Sequence, residues 1–173
     1  MNKQISIIGC GWLGLPLAKQ LISNGLRVKG STTSIEKLKR LQSVDIEPFL
    51  VQFTNERING DIEGCLQNSE VLVLNVPPRL RKNTTTNFIK QIELLIPYIE
   101  SSSIKKLVFI SSTSVYADDE SMPNITETTK PNPETESGKQ LLIIERLLQA
   151  NNNFKTTILR FAGLFGEDRH PAT

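Results

Sequence analysis

The sequence predicts an α/β fold, a three-layer arrangement around a doubly wound parallel sheet. Short apolar runs alternate with amphipathic stretches along the whole chain, giving six strands interleaved with helices. The run Val71-Leu72-Val73-Leu74-Asn75-Val76 is apolar almost throughout, as expected of a strand covered on both faces. The first apolar run passes directly into a cluster of glycines that opens a helix.

Each element has its own signal. Ile5 to Ile8 reads as a buried strand. Leu13 to Ser23 follows as a helix, with Leu13, Leu17, Ala18 and Leu21 on one face, stopped at Asn24-Gly25. Arg27 to Gly30 is a short second strand. Thr33-Ser34-Ile35-Glu36 has capping-box spacing, and Ile35, Leu38 and Leu41 continue it as a helical stripe. Pro48 to Phe53 is the third strand, and a short helix from Asp61 to Asn68 leads into the fourth. After Pro77-Pro78 a basic loop precedes a helix from about Thr85 to Ser101. Its apolar positions Phe88, Ile89, Ile92, Leu95, Ile96 and Ile99 recur at helical spacing, and Pro97 should kink it or end it early. Lys106 to Ile110 is the fifth strand and Thr156 to Phe161 the sixth. Between them lie a long polar loop, Asp118 to Glu136, and a helix from Ser137 to Gln149.

Composition bounds the function. The 173 residues fit one domain, taken as residues 1–173, and 38% hydrophobic residues suffice for a core. The formal net charge of +2 is too balanced to imply nucleic acid. No run approaches the roughly 18 apolar residues of a membrane span. The chain enters its first strand almost at once and carries no signal-peptide pattern. Cys10 and Cys65 build neither a disulfide framework nor a metal cluster. These features predict a cytoplasmic protein with no nucleic-acid or membrane partner and no metal.

Gly9-Cys10-Gly11-Trp12-Leu13-Gly14 fits G-x-G-x-x-G directly after a strand and at the start of a helix, the context in which that pattern cradles a dinucleotide. The first glycine permits a tight turn, the second lets the backbone approach the pyrophosphate, and the third lets helix and strand pack closely. The helix N-terminus attracts the anion. This makes the fold Rossmann-like. Trp12 packs on the cofactor or anchors the helix. An NAD site usually places an acid at the end of the second strand to hold the ribose 2′-hydroxyl. Here the chain reads Val28-Lys29-Gly30-Ser31-Thr32-Thr33-Ser34, with no carboxylate before Glu36. Ser31, Thr32, Thr33, Lys37 and Arg40 suit a 2′-phosphate instead, which favours NADP over NAD. The alternative is that Ser31 to Ser34 only cap the next helix.

Four passages together resemble the short-chain dehydrogenase/reductase superfamily, on its NAD-dependent epimerase/dehydratase side and most of all its atypical members. They are Gly9 to Gly14, Asn75-Val76-Pro77-Pro78, Ile110-Ser111-Ser112-Thr113-Ser114-Val115-Tyr116, and Leu159-Arg160-Phe161-Ala162-Gly163-Leu164-Phe165-Gly166. The resemblance implies that Asn75, Val76 and Pro77 line the cofactor site and that Ser112 hydrogen-bonds the substrate carbonyl or hydroxyl. Ser112 alternatively caps the strand-end turn. It also implies a tyrosine with a lysine four residues later. Lys139 fits the lysine, holding the nicotinamide ribose, but Thr135 stands where the tyrosine belongs. An aliphatic hydroxyl is far less acidic than a phenol, so Thr135 does not replace it by simple substitution. Tyr116 is a stand-in or a half-buried packing residue, and Glu134 or Glu136 is an acid/base or a solvated loop carboxylate. Such proteins continue past the sixth strand into a smaller substrate lobe, which this chain lacks or carries truncated.

Two classes of function follow. One is an oxidoreductase or epimerase/dehydratase using NADP, or NAD, on a sugar-nucleotide-like or other hydroxyl/carbonyl small-molecule substrate. The other is a non-catalytic dinucleotide-binding regulator or redox sensor. The two long apolar helices either pair in a homodimer or only cover the sheet. Arg79, Arg81, Lys82, Arg169 and His170 are further substrate-side candidates, each alternatively solvated. Cys10, beside the glycine turn, reads as a passive small residue, although a helix N-terminus can activate a thiol.

Overall fold

Side chains alternate across β1 (Gln4–Ile8), so Ile7 and Ile8 are both buried but enter different cores. That alternation sets the layering of the computed structural model, which describes residues 3–78, 87–118 and 123–166. The other strands are β2 (Arg27–Thr32), β3 (Glu47–Phe53), β4 (Ile58–Gly60), β5 (Val71–Leu74), β6 (Lys106–Ser112) and β7 (Lys155–Phe161). They form one sheet in the order β4-β3-β2-β1-β5-β6-β7. Every pairing is parallel except β3 with β4. The predicted doubly wound sheet is the observed one, with one strand more than the sequence indicated. β4 is three residues long and contains Asn59-Gly60, so it offers no apolar run. A turn closed by the Thr54 amide and hydroxyl, both donating to the Arg57 carbonyl, brings it back against β3.

The helices are α1 (Gly14–Ser23), α2 (Ile35–Gln42), α3 (Ile62–Leu66), α4 (Phe88–Glu100) and α5 (Glu136–Gln149). Ala18, Leu41, Val28, Ile46 and Val73 fill the core beneath α1 and α2. The larger core joins Leu72, Leu74, Leu107 and Phe109 of the strands to Phe88, Ile92, Leu95 and Ile99 of α4 and Leu141, Ile144 and Leu148 of α5. The apolar stripes of α4 and α5 therefore cover the sheet, and Ile143 stays exposed on α5. Burying a side chain of this size stabilises the fold by about 1.5–3 kcal/mol.

Three local expectations are corrected. α4 runs through Pro97 to Glu100, because Leu95 and Ile99 are buried on either side of the exposed proline and the Pro97 carbonyl still accepts the Ser101 amide. The capping box at α2 does not form. Ser34 is the N-cap without a side-chain bond, and its own amide donates to Thr32 Oγ1. The fourth apolar run leaves the sheet at Leu74, after which Asn75 turns towards the glycine loop. No described helix is long and apolar enough to cross a membrane, and no His/Cys/Asp/Glu group among the described residues has metal-binding spacing.

Candidate dinucleotide and substrate site

β1 and β5 are neighbours from which the chain winds in opposite directions, the place where doubly wound sheets open a crevice at their carboxyl edge. The glycine turn leaves β1 there. Gly9 has φ of 101°, and a Cβ on it would collide with the Asn75 carbonyl. A Cβ on Gly14 would strike the Gly9 carbonyl. Gly11 differs from both, since a Cβ at that exposed position would meet nothing within 4 Å. Two glycines are thus required by the fold, and the third faces open space at the start of α1. The first turn of α1 carries no acidic side chain, which leaves its N-terminal partial positive charge to an external anion. An open glycine before an uncompensated helix N-terminus fits a pyrophosphate.

The turn is held from both neighbouring strands. Asn75 Nδ2 donates to the Gly9 carbonyl at 3.0 Å, and the Asn75 amide donates to Ile8 at 2.9 Å. From β2, Ser31 Oγ accepts the Gly9 amide at 3.0 Å and the Ser31 carbonyl accepts the Cys10 amide at 2.8 Å. Ser31 and Thr32 are buried, and their oxygens accept amides of the glycine turn and of Ser34. Thr33 is exposed. Val76 and Pro77 follow Asn75 past the end of β5, half-buried and exposed respectively. Burial pushes the Cys10 thiol up to about 12, and the opposing Ser31 backbone bond does not offset it, so Cys10 is passive at neutral pH.

A cleft of about 530 Å³ opens beside the turn, lined by Gly11, Trp12, Leu13, Lys37, Arg40 and Gly166 among others. Leu13 is the N-cap of α1 and is half-buried. Trp12 is 40% exposed, and its indole lies against Gly166, so the chain after β7 returns to the glycine loop. Arg79, Arg81, Lys82, Arg169 and His170 lie outside the described residues.

The second part of the site is the carboxyl end of β6. Ser112 is half-buried and its Oγ accepts the Ser114 amide at 3.1 Å, capping the 3-10 turn Thr113–Val115. The start of α5 docks on this turn so closely that a Cβ on Gly138 would land on the Ser114 carbonyl. That contact brings Thr135 and Lys139 to the same edge. Thr135 is the N-cap of α5, its Oγ1 accepting the Gly138 amide at 3.1 Å, and Lys139 is exposed one turn in. Glu134 and Glu136 are exposed, and Glu136 accepts from Gln140.

The model of the NAD dependent epimerase/dehydratase family matches residues 5–173. The chain belongs to that family. It is 33% identical over 170 residues to protein YeeZ of Escherichia coli K12, covering 98% of this chain and 61% of that protein. It is 26% identical over 185 residues to a UDP-glucose 4-epimerase of Dictyostelium discoideum, covering 92% of this chain and 54% of the relative. Its backbone superposes on UDP-glucuronic acid 4-epimerase of Bacillus cereus, solved in complex with NAD, with a TM-score of 0.73 at 21% identity, covering 98% and 60% of the two chains. The chain thus spans little more than half the length of these relatives.

In this member of the epimerase/dehydratase family one cluster escaped the sequence reading. Glu145, 1% exposed on α5, accepts Ser111 Oγ at 2.6 Å and is gripped by Arg160 of β7 through Nε at 3.0 and 3.2 Å and Nη2 at 2.6 Å. Arg160 Nη1 donates to Tyr116 Oη at 2.6 Å, and Tyr116 donates to the Thr126 carbonyl at 3.3 Å. The guanidinium carbon also lies 5.1 Å from the centre of the Tyr116 ring. The Glu145 carboxylate holds the Arg160 guanidinium protonated even more firmly than usual. The signal was present: Glu145 is a lone acid on the apolar face Leu141, Leu142, Ile144, Leu148, and buried charges come paired.

Proposed function

We propose that this chain is the dinucleotide-binding part of an NADP-dependent oxidoreductase or epimerase acting on a nucleotide-sugar-like hydroxyl or carbonyl substrate. The observation that carries the reading is the open position at Gly11, before a helix N-terminus with no acid of its own. The epimerase relatives supply the substrate class. A dinucleotide held by the glycine turn and α1 would supply hydride transfer to or from the substrate carbon. The chain's own residues do the rest. The glycine turn and α1 bind the pyrophosphate. Ser112 already accepts the Ser114 amide, which leaves its own proton to donate to a substrate oxygen. Lys139, exposed at the start of α5, reaches for the nicotinamide ribose. Thr135 is committed to its helix cap, so Tyr116 is the phenol available at this edge.

The preference for NADP rests on Lys37 and Arg40, which line the cleft beside Gly11 and Trp12. The absence of a carboxylate between Val28 and Ile35 supports it. The hydroxyls of Ser31 and Thr32 add nothing, since they bond inside the protein. Fluorescence titration through Trp12, the single tryptophan, tests this directly. NADPH is expected to bind at least tenfold tighter than NADH, a preference lost in the double variant Lys37→Ala/Arg40→Ala. Tighter NADH binding overturns the NADP preference. Binding of neither overturns the dinucleotide site.

A further inference from the structure

Arg160 uses its planar fork in two directions. Its Nε and Nη2 are spent on the buried Glu145, and its Nη1 is turned outward onto the Tyr116 hydroxyl. A lysine has one point of attachment and no fixed plane, so it offers no such bridge. Glu145 is anchored in turn by Ser111, the residue before Ser112. One buried carboxylate therefore ties together the end of β6, the end of β7 and the segment carrying Tyr116. A buried ion pair of this kind is weak evidence for stability and better evidence that a geometry is being specified.

The two bonds of the Tyr116 hydroxyl are unequal. The one received from Arg160 is short and charge-assisted, at 2.6 Å, while the one given to the Thr126 carbonyl is long, at 3.3 Å. The phenol oxygen is thus fixed in position and its proton is loosely held by a replaceable acceptor. We propose that Arg160 is the positioning residue of the substrate edge: anchored by Glu145, it presents the Tyr116 hydroxyl as a hydrogen-bond donor to a substrate oxygen beside Ser112, exchanging the Thr126 carbonyl for the substrate. This rests on the enzyme reading above.

The test uses the full chain with [ζ-13C]tyrosine. There are two tyrosines, so the signals of Tyr98 and Tyr116 are separable. UDP-glucose should move the Tyr116 signal in the wild type and leave it in place in Arg160→Lys, with Tyr98 unaffected in both. In turnover of UDP-glucose with bound cofactor, Arg160→Lys and Tyr116→Phe should each lower kcat at least tenfold. The double variant should be no slower than the slower single, and the dinucleotide Kd should stay within twofold. Tyr116→Phe leaves the buried pair intact, so its kinetic loss does not depend on the folding of Arg160→Lys. A Tyr116 signal that responds alike in wild type and Arg160→Lys overturns the proposal, as does a double variant whose losses multiply. A wild-type chain that turns over no UDP-glucose but shows the Tyr116 response, abolished by Arg160→Lys, upholds the positioning and sinks the enzyme reading instead.

Discussion

Gly9, Gly11 and Gly14 look alike in a motif and do different work in the fold. Gly9 needs its left-handed φ and its closeness to Asn75, and Gly14 needs contact with the Gly9 carbonyl. Those demands were legible from the spacing, because strand, turn and helix leave room for one geometry. The roles of Ser31 and Thr32 were not legible, since a hydroxyl at a strand end reads equally as ligand contact or internal bond. Only the register of β2 on β1 turns Ser31 to Gly9. The cysteines give a prediction at the same scale. Burial pushes the Cys10 and Cys65 thiols from 9.0 up to about 12. Between these values the unfolded chain has released protons that the folded chain keeps, so stability is full below about pH 9 and falls as the pH rises. The loss per thiol is about 1.4 kcal/mol per pH unit. Urea midpoints from pH 8 to 10.5 should show this fall, with a shallower slope in Cys65→Ala than in wild type. Equal slopes would mean that the Cys65 thiol does not contribute.

Among the elements, periodicity predicted those that bury a stripe. α4 and α5 appear where the apolar residues recur, and α4 does not end early at Pro97, since buried Leu95 and Ile99 carry it on to Glu100. β4 was invisible because it is specified by its partner β3 and a turn, not by its own apolar residues. The edge at the end of β6 was half legible. Ser112 and Lys139 stand on the elements expected of them, but the Glu145–Arg160–Tyr116 chain joins residues 15 and 44 positions apart that no local pattern connects. The docking of α5 on the 3-10 turn predicts that Gly138→Ala destabilises the protein by about 1–3 kcal/mol, as overpacking does. The Cβ would displace the helix start that carries Thr135 and Lys139, so turnover and dinucleotide affinity should both fall. A Gly138→Ala protein of wild-type stability would show that the helix start yields freely.

At the scale of the molecule, two cores on opposite faces hold a mostly parallel sheet whose carboxyl edge gathers the candidate residues of the glycine turn, β2, β5, β6 and the start of α5. The glycine turn sits at the centre of that edge, the basic pair Lys37 and Arg40 to one side, and Ser112, Tyr116 and the start of α5 to the other. The central claim is that this edge binds a dinucleotide through Gly11. Because a Cβ at Gly11 meets nothing within 4 Å and the position is exposed, Gly11→Val should melt like the wild type by circular dichroism. In Trp12 fluorescence titrations it should bind NADPH at least tenfold more weakly, about 1.4 kcal/mol for a lost backbone approach to the pyrophosphate. A well-folded Gly11→Val protein with wild-type affinity for NADPH would contradict the account and reduce the glycine motif to a turn.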